Sequence, residues 1–156
     1  MRISPSRTRD GFERFGLIIR HDGAAGDRFD FSRVFESTDT GLVPRLHVNR
    51  VEPSTLPLTL TSLERHPAAW QTFLPLDVQR YLACVAIPLA DGRPDLTTLQ
   101  AWILDGQTGV AFAPGIWHAG ATVFDAPARF AVIWPRRDAA GDTEMFTLPQ
   151  PVQVDA

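Results

Sequence analysis

Proline and glycine punctuate this chain from end to end: 13 Pro and 11 Gly recur at intervals of about ten residues. Proline removes a backbone donor and glycine favours turns, so long helices are excluded and short elements joined by corners are required. Between the breaks, apolar residues alternate with polar ones. Leu46 and Val48 share a face with Arg50, while Arg45, His47 and Asn49 share the other; Leu56, Leu58 and Leu60 repeat the two-residue period. Pro57 within that run suggests an edge strand. Further strands are expected over 17–19, 28–35, 42–51, 70–76, 80–89, 101–104, 110–113, 116–124 and 129–134, and a last one near Glu144 to Leu148. Short helical stretches are expected at Thr8 to Gly16, with Thr8 as N-cap and Gly16 as the stop, and at Pro94 to Leu99. Nine or ten short strands with little helix predict an all-β sandwich, jelly roll or barrel. At 156 residues the chain is expected to form a single domain over 1–156.

Charge and residue usage narrow the chemistry. A net charge of -3 argues against nucleic acid as a partner. No stretch reaches the roughly 20 apolar residues of a membrane span, and the first residues lack the apolar core of a signal peptide, so a cytoplasmic protein is expected. The single Cys84 lies in the apolar run 82–87 and reads as a buried structural thiol. All 15 cationic residues are Arg. Without lysine there is no Schiff base and no P-loop, so acid–base work falls to the four His, the carboxylates or Tyr81.

Two segments concentrate such groups. In Leu63-Glu64-Arg65-His66-Pro67, a charged triplet ends in a His that Pro67 biases to an extended conformation. Gln71 and Phe73 share a face of the strand that follows. The bland reading is a polar loop with a solvated Glu–Arg pair. In Gly109-Val110-Ala111-Phe112-Ala113-Pro114-Gly115-Ile116-Trp117-His118, a strand, a Pro-Gly turn and a return strand deliver a His. Trp117 and His118 must point to opposite faces, and one of them looks into the barrel.

The second segment resembles the second motif of the cupin superfamily, in which Gly and Pro-Gly precede an inward His. Glu64, His66, Gln71 and His118 then offer a set for a divalent metal. Gln71 standing where cupins carry Glu lowers the negative charge, so a metal-free hydrogen-bonding pocket is favoured.

From about Asn49-Arg50 to Arg129-Phe130 the chain also resembles the ureidoglycolate lyase family. The resemblance is carried by Leu56-Pro57-Leu58-Thr59, by Leu63-Glu64-Arg65-His66-Pro67 with Gln71 and Phe73-x-Pro75, by Pro94-Asp95-Leu96 with Thr98-Leu99, by Gly109-Val110 and by Trp117-His118. Phe12-x-x-Phe15-Gly16-x-Ile18 is similar to the family's start. Ala119 and Gly120 stand where the family usually has a second His.

The resemblance implies a cupin-like jelly-roll barrel and cleavage of ureidoglycolate to glyoxylate and urea, a step of allantoin and purine degradation. It implies no required cofactor, a small-molecule substrate and a homodimer. His66 and His118 become the acid–base candidates. Arg50 or Arg65 would grip the substrate carboxylate. Gln71, Glu64 and Trp117 would complete the binding site, while His21 and His47 read as structural or surface residues. The alternatives are a cupin-like binding protein for a small carboxylic acid and a metal-dependent cupin enzyme.

Overall fold

The computed structural model describes residues 1–137 and 142–155. Among them, twelve strands and three short 3-10 turns make an all-β fold of two facing sheets. The larger sheet runs β1 (Arg2–Ile3), β12 (Glu144–Val154), β4 (Leu58–Arg65), β9 (Trp117–His118), β6 (Arg80–Ala86) and β10 (Thr122–Phe124), with β7 (Gln100–Asp105) on the other edge of β6. The smaller sheet runs β2 (Gly16–Ile19), β8 (Gly109–Phe112), β5 (Gln71–Pro75), β11 (Ala128–Ile133) and β3 (Leu46–Val51).

The apolar pattern of β6 explains the architecture. Tyr81, Ala83 and Val85 point between the sheets, where they join Phe73, Val110, Phe112, Phe130 and Val132. Leu82, Cys84 and Ala86 point the other way into a second core with Ala101, Ile103, Trp117, Val152 and Val154. A strand buried on both faces reads as a continuous apolar run. The larger sheet encloses this second core by curling. Ser6 bridges to Trp102 of β7, while β1 pairs with β12, so the amino terminus links the sheet's two sides. Cys84 lies in this core, and burial pushes its thiol up to about 12, leaving it inert at neutral pH. Phe12 and Phe15 plug the space between the sheets, both edge-on to Trp102 at 5.3 and 5.6 Å.

Several expected elements differ, each for a local reason. The stretch 28–35 is not a strand. Asp30 accepts the Ser32 N–H at 2.7 Å and turns the chain into a 3-10 helix at Ser32–Phe35. Phe29 instead stacks on His21 at the surface, 4.4 Å between centroids. At the amino end, helix is confined to Phe12–Arg14, because Gly11 at φ 81 stands where a longer helix would continue; Thr8 caps nothing, and Gly16 opens β2. Pro57 does not mark an edge: it precedes β4, which lies between β12 and β9. The expected strand 116–124 is two strands along one edge of β6, with a one-residue register shift between His118↔Val85 and Thr122↔Leu82. That bulge lets both His118 and Val123 face the inter-sheet space despite their odd spacing. The last strand extends to Val154, and its register on β4 shifts between Thr147 and Val152, around Pro149 and Pro151, which cannot donate to a ladder.

Candidate active site

Glu64 is not in a loop. It is the penultimate residue of β4 and pairs directly with His118 of β9. Strand alternation turns Leu63 into the second core and Glu64 toward the opposite sheet. His66 follows β4, and Pro67 then redirects the chain; the His66 carbonyl accepts the Gly115 N–H at 2.9 Å, which ties this corner to the Pro114-Gly115 turn. Gln71 opens β5 across from Phe112 of β8. Four side chains thus converge from two sheets at one end of the inter-sheet space. His66, Gln71 and His118 are buried, at 3%, 6% and 1% exposure.

His118 sits at the centre. Its ring stacks on Phe112 at 4.3 Å and 15°. Nδ1 lies 3.1 Å from the Ile116 carbonyl, an acceptor, so Nδ1 carries a proton. Nε2 faces two further oxygens, Gln71 Oε1 at 2.9 Å and Glu64 Oε1 at 3.5 Å. The hydrogen bond from His118 holds the Glu64 carboxyl below its ordinary range, against the opposing effect of burial.

His66 is the contrasting ring. Burial lowers its pKa from 6.5 to about 4, and the neighbouring His118 charge adds to the shift, while Glu64 and Asp142 partly oppose it. The two rings lie 5.4 Å apart, and His66 also packs on Trp134 at 4.1 Å. His66 is therefore neutral at pH 7.

This burial has a stability consequence. Between pH 6.5 and about 4 the unfolded chain binds a proton on His66 that the folded chain refuses. Stability therefore falls as pH drops through that window, by about 3 kcal/mol from this group. Urea denaturation at pH 7 and pH 4.5 is expected to show a clear fall in midpoint; an unchanged midpoint would mean that His66 is not buried neutral.

Glu64, His66 and His118 each place a donor atom within 4.8 Å of the others, the kind of cluster that divalent metals use. Nδ1 of His118 is turned to the Ile116 carbonyl and Nε2 to Gln71 Oε1, while His66 Nε2 has no hydrogen-bond partner among the described residues.

Three residues expected at the site lie elsewhere, and strand alternation is the reason each time. Arg65 points away from Glu64, pairs with Glu144 at 2.6 and 2.8 Å and lies over the Trp117 ring at 4.8 Å. Trp117 points away from His118 into the second core, donating to the Gly92 carbonyl at 3.0 Å. Arg50 projects from the exposed outer face of β3 and pairs with Glu52. His21 is at the surface, and His47 is half-buried. It lies across from Val132, on the inner face of β3. Burial lowers its pKa, and the Arg136 charge adds to the effect.

Three residues not anticipated from sequence line this end of the fold. Trp134 continues the inward-facing set of β11, and Arg136 lies over its ring at 5.0 Å. Their signal was the two-residue period of Phe130 and Val132 carried two steps further. Asp142, just before β12, has one oxygen 3.6 Å from His66 Nδ1. A lone Asp in a polar stretch carries no such signal.

The chain is 32% identical over 134 residues to a ureidoglycolate lyase from Burkholderia cepacia, covering 81% of this chain and 75% of that protein. It is 38% identical over 127 residues to a ureidoglycolate lyase from Escherichia coli strain SMS-3-5, covering 71% and 72%. One from Shigella boydii matches at 37% with the same coverage. The family model described as ureidoglycolate lyase matches residues 3–155, so this chain belongs to the ureidoglycolate lyase family.

Proposed function

We propose that this protein cleaves ureidoglycolate to glyoxylate and urea by acid–base catalysis, without a metal or other cofactor. The observation that carries the reading is the pair of buried His rings with opposite hydrogen-bonding environments, 5.4 Å apart. His66, neutral, takes the proton of the substrate hydroxyl as the carbonyl forms. The carbon–nitrogen bond breaks, and the ureido nitrogen leaves with a proton from His118, giving urea. No water is consumed and no electrons change hands, so the step needs only the two rings and a means of returning the proton. A well-placed base or acid contributes roughly 10²–10⁴-fold each. Glu64, 3.5 Å from His118 Nε2, orients that ring between turnovers. Gln71, hydrogen-bonded to His118, is positioned to exchange that bond for one to the ureido group.

The substrate carboxylate needs a cation, and Arg136 supplies it in this reading. Its guanidinium lies over Trp134, whose ring touches His66. Arg65 and Arg50 are engaged on other faces. Arg136→Ala is expected to raise KM about 10–100-fold, the worth of a charge-assisted hydrogen bond. Arg65→Ala is expected to leave KM and kcat within about threefold, with about 1 kcal/mol of stability lost with its pair to Glu144 and its contact on Trp117. Steady-state kinetics on the two variants separate these assignments; the reverse order would return the carboxylate to Arg65.

In the same reading the enzyme is a cytoplasmic homodimer. Exposed Leu46 and Val48, on the outer face of the edge strand β3, support a second copy as partner. The test of the function is product analysis from ureidoglycolate. Glyoxylate and urea in equal amounts are expected, whereas ammonia in place of urea would assign a hydrolase acting on the ureido group.

A further inference from the structure

His66 has an unexplained neighbour. Its Nδ1 faces Asp142 Oδ1 at 3.6 Å and Thr143 Oγ1 at 3.4 Å. The second oxygen of Asp142 accepts the Ala68 N–H at 2.9 Å. Ala68 lies two residues past His66, so the carboxylate is fastened to the turn that carries the ring. Asp142 Oδ1 and His66 Nε2 are both buried without a hydrogen bond among the described residues. A buried carboxylate oxygen without a donor is costly, and the ring nitrogen beside it is the nearest group able to serve. Catalytic contacts of this type are often long in the resting enzyme and tighten with substrate.

We infer that Asp142 is a positioning residue for His66: its carboxylate keeps the ring proton on Nδ1 and leaves the Nε2 lone pair for the substrate hydroxyl. The inference rests on the lyase reading for its catalytic meaning, but the tautomer itself does not depend on substrate. Asp142 contributes a negative charge as well as an acceptor. As the hydroxyl proton arrives on His66, the new imidazolium is formed beside that carboxylate. The competing arrangement has the Thr143 hydroxyl donating to Nδ1, which would put the ring proton on Nε2 and block the base.

Long-range proton–nitrogen NMR correlation on the full chain reads the tautomer directly, with His66→Gln identifying the signals. In the wild type the neutral ring is expected as Nδ1–H. In Asp142→Asn the amide oxygen keeps the Ala68 N–H and the NH2 group faces Nδ1, so the proton is expected to move to Nε2. The kcat of that variant should fall at least 100-fold while KM stays within about threefold. Asp142→Glu should recover part of kcat. A wild-type Nε2–H ring overturns the inference, and so does an unchanged tautomer in Asp142→Asn. If that variant does not fold, the wild-type spectrum alone decides. A wild-type Nδ1–H ring that switches in Asp142→Asn, in a protein that releases no glyoxylate, would uphold the positioning role and overturn the lyase reading instead.

Discussion

His118→Ala is expected to lose activity and stability together. The ring is the acid for the departing urea nitrogen, so its loss should lower kcat by roughly 10³-fold. It is also the structural centre of the site. Its removal strips Glu64 of its partner, leaves Gln71 Oε1 without its donor and opens a cavity against Phe112. A buried acceptor left without its donor costs about 1–3 kcal/mol, more when it is charged, and the emptied ring site adds to that cost. Glu64 retains 25% side-chain exposure, which limits its share of that cost. About 3 kcal/mol lowers the melting temperature by roughly 6–12 °C in a domain of this size. Thermal unfolding of His118→Ala beside wild type measures it. A catalytically dead variant with unchanged melting would mean that His118 is not the hub of this hydrogen-bond network.

His66→Ala should behave differently. Activity again falls roughly 10²–10⁴-fold, because the base is gone. Stability at pH 7 falls by only about 1–2 kcal/mol, the cost of an emptied contact against Trp134. At acid pH the sign reverses. Wild type loses stability as pH falls from 6.5 towards 4, because His66 stays unprotonated in the fold. The variant has no such group, so the two stability curves should converge and cross near the low end of that window. Denaturation curves for both proteins from pH 7 to pH 4 decide this. Parallel curves over the whole range would contradict a buried neutral His66. The two His variants thus separate a ring that stabilises the fold from one that is held in it at a cost.

The strands were legible in the sequence because alternation and Pro/Gly breaks are local. β3, β5, β6, β7, β8 and β11 lie close to where the pattern places them. His66, His118, Gln71 and Glu64 were legible as residues of two dense segments, and the fold brings these four together. What the pattern did not settle was direction. Glu64 and Arg65, or Trp117 and His118, look equivalent until the neighbouring strand is known. The pairing of β4 with β9 turns Glu64 and His118 to the same face and sends Arg65 and Trp117 to the other. Segment 28–35 was misread because one Asp side chain competed successfully for backbone that otherwise alternates like a strand. Asp142 was invisible for a third reason. It reaches His66 across 76 positions of chain, and nothing in its own neighbourhood marks it.

In the proposed mechanism two buried histidines perform the cleavage unaided. Its most direct test is glyoxylate release from ureidoglycolate by protein stripped with a chelator and shown metal-free by elemental analysis. The account predicts turnover at the rate of untreated protein, with no gain on adding divalent metal. Activity that vanishes on stripping and returns with metal would contradict it, and would assign Glu64, His66 and His118 as ligands instead.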